Sequence, residues 1–291
     1  MPLWKAVILG LVQGLAEFLP ISSSGHLVII KNILGVDLES GGMFFDVMLH
    51  MGTLIAIFIA FHKDIGKLVI EGLHIFADII ANTGIFFSRI TKHSKEYRHV
   101  VKSSYRKFVV LIIVSTIPTA VIGLLLSDIV EAANDMVMVP GICLFITAAF
   151  LFIADFIDIG SKTPKEVSYG SACTIGVAQG LSTMPGISRS GTTITACLLC
   201  GFDKKFAVKY SFIMSIPAVL GAVVLQVKDF TADTIMKEDI PGCIVATFIA
   251  AIVGYLSICF MMSLVRGKKY KYFAIYCIIM GGVVIGYNFL G

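Results

Sequence analysis

The chain has 291 residues, of which 57% are hydrophobic and only 14% are charged, and its mean hydropathy is +0.92. A soluble domain carries about 25% charged residues, so the composition excludes that class and indicates a polytopic membrane protein. The formal net charge of +4 is modest, and we expect no nucleic-acid partner. The seven cysteines lie in apolar stretches. Cys197 and Cys200 are three positions apart, but no second Cys or His pair stands at metal-binding spacing, so we expect the cysteines to act as small hydrophobic residues in helices.

The first element in chain order is the polar motif QGLAEFLPISSSGH at residues 13–26, inside an otherwise apolar run. Polar groups are expensive to bury in an apolar medium, so the motif predicts a binding or catalytic site. Pro20 breaks the helix, and the serines that follow it favour the start of a new one.

Six later stretches are long enough to span a bilayer, which takes about 20 residues. They are 43–62, 108–126, 140–158, 206–227, 241–263 and 272–290. Segment 89–107 holds seven Lys or Arg against one Glu, and 264–271 holds four with no acid, whereas 127–139 and 228–240 are mainly acidic. The positive-inside rule places the two basic segments in the cytoplasm and, with this number of spans, both termini outside.

Segment 68–88 interrupts this count, because basic residues flank both of its ends. Glu71, His74, Asp78 and Asn82 recur at helical spacing and form one polar stripe. We interpret the segment as an amphipathic helix lying at the membrane interface. The alternative is a spanning helix whose stripe faces the protein interior.

The opening motif is repeated later in the chain. Residues 13–35 and 179–201 align without a gap, and eight of the 23 positions are identical, including the Ile-Ser-x-Ser-Gly centre. The second copy has basic residues on both sides, so it must enter the membrane, turn and leave by the same face. We therefore predict one all-α membrane domain, 1–291, with two re-entrant helical hairpins and two halves of opposite orientation, about 1–160 and 161–291.

The two hairpins predict an anion site at their turns. Helix N-termini opening near Ser24 and Ser190 would present free N–H groups to one central cavity. Arg189 adds a positive charge and a planar fork suited to phosphate oxygens. Its alternative role is an ion pair with Glu17 across the interface between the halves.

Three other side chains carry possible chemistry. Glu17 can hold a divalent cation, orient water or transfer a proton. His26 follows Ser23 by three residues, and a Ser–His pair beside an anion site is typical of an activated nucleophile. Gln13, one helical turn before Glu17, can coordinate or hydrogen-bond but cannot act as a base.

These residues resemble the undecaprenyl-diphosphate phosphatases of the bacitracin-resistance type, which recycle the bacterial cell-wall lipid carrier. The family pattern (E/Q)xxxE running into FLPxSSxGH is matched by residues 13–26, and PGxSRSG(A/T)T by PGISRSGTT at 185–193. The FDVMLHMGTLIAI span after the first motif and a Phe-Ala-Ile-Tyr near the C-terminus also fit, so the resemblance covers essentially the whole chain.

The resemblance implies hydrolysis of a C55 polyprenyl diphosphate to the monophosphate and phosphate in the bacterial cytoplasmic membrane, stimulated by a divalent cation, Mg²⁺ or Ca²⁺. It implies a catalytic set of Glu17, Ser23, His26 and Arg189, and a metal site at Glu17 with Gln13. The substrate-binding residues that it implies around this set are Ser22, Ser24, Gly25, Ser188, Ser190, Gly191 and Thr193. The polyprenyl diphosphate and the bilayer are the expected partners, and a homodimer is left open.

Two mechanisms stay open, and so does one alternative function. Either Ser23 attacks with His26 as its base, or a water held by Glu17 and the cation attacks. A polyprenyl-phosphate transporter or flippase is the alternative function, because inverted repeats around an anion site are also transporter architecture. The Glu, Ser and His favour an enzyme, since a carrier needs no nucleophile or base.

Overall fold

The structure is a computed structural model that describes residues 1–36, 42–90, 96–134, 136–157, 160–227, 240–267 and 269–290. Within these ranges the chain is helical apart from its turns and one β-bridge between Lys162 and Phe202. The helices are α1 (Leu3–Phe18), α2 (Ser23–Ile33), α3 (Gly42–Ala60), α4 (His62–Ile90), α5 (Ser104–Leu125), α6 (Ser127–Asn134), α7 (Met138–Phe156), α8 (Tyr169–Leu181), α9 (Arg189–Leu199), α10 (Lys204–Val227), α11 (Ile240–Leu264) and α12 (Tyr270–Leu290).

Each repeated motif forms a pair of short helices joined by a turn. Helices α1 and α2 have 16 and 11 residues, and α8 and α9 have 13 and 11, so none has the roughly 20 residues that a spanning helix needs. Leu19 is extended, as expected for a residue before proline, and it ends α1. The second helix of each pair starts with a serine cap, Ser22 or Ser188, whose hydroxyl accepts from the backbone N–H three residues later.

The first short helix pair packs against the second half of the chain, and the second short helix pair packs against the first half. Helix α1 lies along α11, and α8 lies along α5. A Cβ added to Gly10 would lie 2.6 Å from the Ala246 carbonyl oxygen, and one added to Gly180 would lie 2.7 Å from Cβ of Ile122. Glycines in α1 and α8 thus allow the helix backbones to approach closely, as small residues do in membrane helix packing.

In the part of the chain that the structure describes, six helices are long and apolar enough to cross a membrane, and five of them coincide with predicted spans. The remaining predicted span, 43–62, forms α3, whose apolar part Phe44–Ala60 is shorter than a membrane-spanning helix. Its place among the six is taken by α4, where the sequence predicted an interfacial helix. By length and composition, residues His62–Arg89 of α4 could span the membrane.

The predicted polar stripe of α4 is paired with the segment that leads into α5. Arg106 donates from Nη1 to Asp78 (2.6 Å) and from Nε to Glu71 (2.8 Å). The Asn82 side chain exchanges two hydrogen bonds, of 2.7 and 2.8 Å, with the backbone of Arg98. The other face of α4 is exposed and apolar, with residues such as Leu73, Phe76 and Phe87.

Candidate functional site

The turns of the two short helix pairs meet inside the protein. A Cβ added to Gly25 would lie 2.9 Å from Cα of Gly186, and one added to Gly191 would lie 3.2 Å from Cβ of Pro20. Each second helix therefore begins against the turn of the opposite pair. Gly186 also has a positive φ of 92°, which a residue with a side chain rarely adopts.

Glu17 is the centre of the polar network at this meeting point. Its side chain is only 5% exposed, and a buried carboxylate needs several hydrogen-bond donors. Its Oε2 accepts from Ser23 Oγ at 2.5 Å and from Gln13 Nε2 at 3.1 Å, and its Oε1 accepts from Arg189 Nη2. Four residues that the sequence singled out thus form one connected group.

The Glu17–Arg189 pair joins the two halves of the chain. This is the ion pair that the sequence analysis held as the alternative role of Arg189. It does not exclude an anion-binding role, because a guanidinium has five N–H donors and the contact to Glu17 involves one of its terminal nitrogens. The Arg189 side chain is 20% exposed, so part of it is accessible.

The serines of both motifs shape the helix starts. Ser22 Oγ accepts from Gly25 N at 3.3 Å and lies 3.4 Å from Ser24 Oγ. Ser188 makes the same pair of contacts, with Gly191 N at 3.1 Å and Ser190 Oγ at 3.3 Å. The two helix N-termini predicted as an anion cradle are therefore built alike, and they begin at residues 23 and 189, one residue before the predicted positions.

Ser22 differs from its counterpart in backbone conformation. It is the non-glycine residue with positive φ among those described, at φ 71° and ψ 100°, whereas Ser188 has φ −70°. Such conformations cost on the order of 1–3 kcal/mol and concentrate at functional sites. The strained residue directly precedes Ser23 and its carboxylate contact.

His26 is held next to this network but does not bond to Ser23. Its Nδ1 lies 2.8 Å from the Ser22 carbonyl oxygen, which can only accept, so Nδ1 carries the proton. Its Nε2 then accepts from the Tyr276 hydroxyl at 2.8 Å, and the two rings are stacked with centroids 5.6 Å apart. The expected Ser23–His26 pair is not formed, because both ring nitrogens have other partners and Ser23 donates to Glu17.

Thr193, which the resemblance placed among the substrate-binding residues, lies inside the protein. It is fully buried, and its hydroxyl contacts Ser211 Oγ at 2.6 Å and the Arg189 carbonyl oxygen at 2.7 Å. This position lets Thr193 support the first turn of α9. In the structure its hydroxyl is used within the protein.

Two residues of the site were not found by sequence reasoning. Tyr276 on α12 bonds to His26, and His50 on α3 lies 3.2 Å from Gln13 Nε2 and 3.9 Å from Glu17 Oε1. Both come from apolar stretches far away along the chain. The available signal was the family resemblance, because His50 lies in the FDVMLHMGTLIAI span and Tyr276 ends the Phe-Ala-Ile-Tyr stretch. The partners of the two residues depend on tertiary packing.

The oxygen ligands at Glu17 and Gln13 suit a divalent cation that also binds a phosphate. Gln13 is fully buried, and its Oε1 has no hydrogen-bond partner; an unpaired amide oxygen beside a carboxylate is a ligand set for Mg²⁺ or Ca²⁺. Among the described residues no three His, Cys, Asp or Glu side chains are grouped closely enough to hold a metal by themselves. Any cation here would therefore take further ligands from substrate oxygens or water.

Fold and site together define an all-helical, multi-pass membrane protein with a buried Glu, Ser and Arg group between two short helix pairs. The family model described as bacitracin resistance protein BacA matches residues 6–283. The chain belongs to this family, so the resemblance drawn from the motifs is confirmed.

Curated relatives match over nearly full length. The chain is 41% identical to a protein of Methanosphaera stadtmanae over 97% of this chain and 96% of the relative. It is 36% identical to one of Alkaliphilus metalliredigens over 100% of both chains, and 37% identical to one of Methanobrevibacter smithii over 98% of this chain and 97% of the relative. Each of the three is named undecaprenyl-diphosphatase.

Proposed function

We propose that this chain hydrolyses undecaprenyl diphosphate to the monophosphate and inorganic phosphate. The observation that carries the proposal is the Glu17 network, in which a hydroxyl and a guanidinium from opposite halves meet on one buried carboxylate. The capped N-termini of α2 and α9 begin beside it and provide positive ends for a phosphate. The names of the family relatives agree with this chemistry.

The geometry favours Ser23 as the attacking group, with Glu17 in place of His26 as proton acceptor. Ser23 Oγ lies 2.5 Å from Glu17 Oε2, within the range that proton transfer requires. The hydroxyl oxygen would attack the terminal phosphorus while its proton passes to the carboxylate, and the bond to the polyprenyl phosphate would break, leaving a phosphoserine. Water would then attack the phosphoserine, releasing inorganic phosphate and restoring the Ser23 hydroxyl. Attack by a water held at Glu17 uses the same carboxylate and remains the competing mechanism.

Arg189 and His26 complete the proposed catalytic set. Phosphoryl transfer depends mainly on positioning and on stabilising the charge of the equatorial oxygens, which suits the accessible guanidinium of Arg189. His26 lies one helical turn after Ser23 and is held by Tyr276 and by the Ser22 carbonyl. We place it as a proton acceptor through Nε2, the ring nitrogen that accepts from the Tyr276 hydroxyl and carries no proton of its own.

A divalent cation, Mg²⁺ or Ca²⁺, is proposed to bind at Glu17 and Gln13 together with the diphosphate. Such an ion would neutralise phosphate charge and orient the terminal group. The protein contributes the carboxylate and the amide oxygen. Magnesium in particular is usually held by one or two protein oxygens plus substrate phosphates.

The short helix pairs are proposed to be re-entrant hairpins of an inverted repeat. The contacts that support this occur in equivalent pairs at an offset of 166 residues, since Gly25 faces Gly186 while Gly191 faces Pro20. The packing of α1 on α11 is likewise matched by the packing of α8 on α5. Opposite orientation of the halves follows from the loop charges, and it places both termini outside the membrane.

Helix α4 is proposed to lie at the cytoplasmic interface. Its polar contacts extend from Asp64, which accepts from Tyr105 Oη at 2.9 Å, to Asn82. This stretch rises about 27 Å, yet its partners come from residues 98–106 and from the start of α10. A spanning α4 would carry those Lys and Arg residues to membrane depth, which is costly.

The proposed lipid partner fits the exposed apolar surface. Helices α5, α11 and α12 present large hydrophobic residues to their surroundings, such as Leu125, Phe248 and Tyr287. The bilayer and the polyprenyl tail would contact such faces while the diphosphate enters the polar site. We place the protein in the cytoplasmic membrane, as a monomer or a homodimer.

The transporter alternative is tested by the same experiment as the enzyme. Detergent-purified protein is given undecaprenyl diphosphate, and released inorganic phosphate is measured. We expect release by the parent and its loss in Glu17→Gln, with Glu166→Gln as the matched control, because Glu166 lies in an exposed loop bonded to Thr163. A folded parent that binds the lipid but releases no phosphate would favour a transporter.

A further inference from the structure

The side-chain amide of Gln13 is held in one orientation by two neighbours. Its Nε2 lies 3.1 Å from Glu17 Oε2 and 3.2 Å from His50 Nδ1. A carboxylate oxygen only accepts, so the amide must present its NH₂ group to this side. The two hydrogens of that group match the two neighbours, which requires Nδ1 of His50 to be the unprotonated ring nitrogen.

This orientation determines what the other end of the amide does. With NH₂ directed to His50 and Glu17, Oε1 bonds to neither of them, and it is buried without a partner. A buried carbonyl oxygen normally has a hydrogen-bond donor or a cation beside it. Without His50 the second N–H of Gln13 would lose its acceptor, and Glu17 alone would hold the amide.

We propose that His50 is a positioning residue that holds the Gln13 amide so that Oε1 is directed toward a divalent cation accompanying the diphosphate. The inference rests on the proposed function, because the cation is expected to arrive with that substrate. His50 reaches the site from α3 with its side chain 35% exposed. It acts through Gln13 and is not itself proposed as a ligand.

The second repeat supplies a contrast within the same chain. At the offset of 166 residues, Gln13 corresponds to Gln179, Glu17 to Thr183 and His50 to Ile216. Gln179 is also buried with an unpartnered Oε1, but its Nε2 faces only the Thr119 hydroxyl, at 3.4 Å. The carboxylate and the imidazole thus occur together in the first repeat, where a cation would have a negatively charged ligand.

The test measures cation binding directly, apart from turnover. Mn²⁺ is titrated into detergent-purified full-length protein with a non-hydrolysable prenyl methylenediphosphonate, and bound ion is followed by electron paramagnetic resonance. His50→Ala should weaken Mn²⁺ binding by about 10-fold or more, the scale for losing a group that orients a metal ligand. His50→Asn should restore most of it, because its Oδ1 can accept from Gln13 near the Nδ1 position.

A double variant separates positioning from other roles. In a Gln13→Glu background either carboxylate oxygen can face the cation, so adding His50→Ala should change Mn²⁺ affinity less than about 3-fold. Gln179→Ala is the matched control and should leave Mn²⁺ affinity unchanged. Equal affinity in parent and His50→Ala, or the same loss in the Gln13→Glu background, would overturn the positioning role.

Failure of the positioning role can be distinguished from failure of the proposed function. If the parent releases phosphate but its Mn²⁺ affinity does not respond to His50, only the positioning role is wrong. If the parent releases no phosphate from undecaprenyl diphosphate, the proposed function is wrong. Absence of bound Mn²⁺ in an active parent would also overturn the inference, since no cation would then sit at Gln13.

Discussion

Ser23→Ala is the substitution that most sharply separates the two mechanisms of attack. The change removes one hydroxyl, whose partner is the buried carboxylate of Glu17 at 2.5 Å. If that hydroxyl is the nucleophile, hydrolysis should fall below detection, because losing a serine nucleophile costs on the order of 10⁶-fold in turnover. Binding of the diphosphate should be nearly unchanged, since Arg189 and the helix N-termini remain.

The competing mechanism gives a smaller and calculable loss. If water attacks, Ser23 only donates a hydrogen bond to a charged acceptor, which is worth roughly 1.5–3 kcal/mol. That energy corresponds to roughly 10- to 150-fold in rate. The two mechanisms therefore predict turnovers that differ by several orders of magnitude.

The assay is phosphate release from undecaprenyl diphosphate by purified protein, combined with acid quenching and mass spectrometry for phosphoserine. Glu166→Gln is the control, because Glu166 lies in an exposed loop bonded to Thr163 and its loss should cost little, whereas Ser24→Ala should cost less than Ser23→Ala. A Ser23→Ala variant within about 150-fold of the parent, with no phosphoserine trapped in the parent, would refute the nucleophile assignment. The attacking group would then be a water at Glu17.

Further predictions address the guanidinium, the packing and the topology. Arg189→Lys keeps the charge but loses the planar fork, and we expect a loss of roughly 2–4 kcal/mol in transition-state stabilisation, measured as kcat/KM; near-normal turnover would make Arg189 structural. Gly25→Ala should lower the unfolding temperature because its Cβ would lie 2.9 Å from Gly186, whereas Gly66→Ala on open α4 should not. A single cysteine introduced within 98–107 should be labelled from the cytoplasm; labelling from outside alone would contradict the topology.

The local elements of the fold could be predicted because their signals are local. Pro20 and the serine-rich turn required a helix break, and the structure has α1 end at Phe18 and α2 begin at Ser23. Apolar run length identified five of the six helices that, among the described residues, are able to span a membrane. Whether α4 crosses the membrane could not be settled in this way, since its exposed face is apolar while its polar stripe depends on pairing with Arg106.

The site was predictable in its members but not in its bonds. Glu17, Ser23 and Arg189 were singled out because polar groups in an apolar chain are costly, and they do meet. Sequence spacing suggested His26 as the partner of Ser23, yet residues three apart on a helix can direct their side chains to different neighbours. Tyr276 lies 250 positions from His26 in the chain, and no local pattern reports such a contact.

The repeat explains why a site forms only where the two halves meet. Both turns have a capping serine and a glycine against the opposite turn, but equivalent positions carry different chemistry. Ser23 in the first half corresponds to Arg189 in the second, so one turn presents a hydroxyl and the other a cation. Glu17 contacts both, and its own counterpart is Thr183. A single turn could bind an anion weakly, but a nucleophile, a proton acceptor and a positive charge come together only where the two different turns face each other.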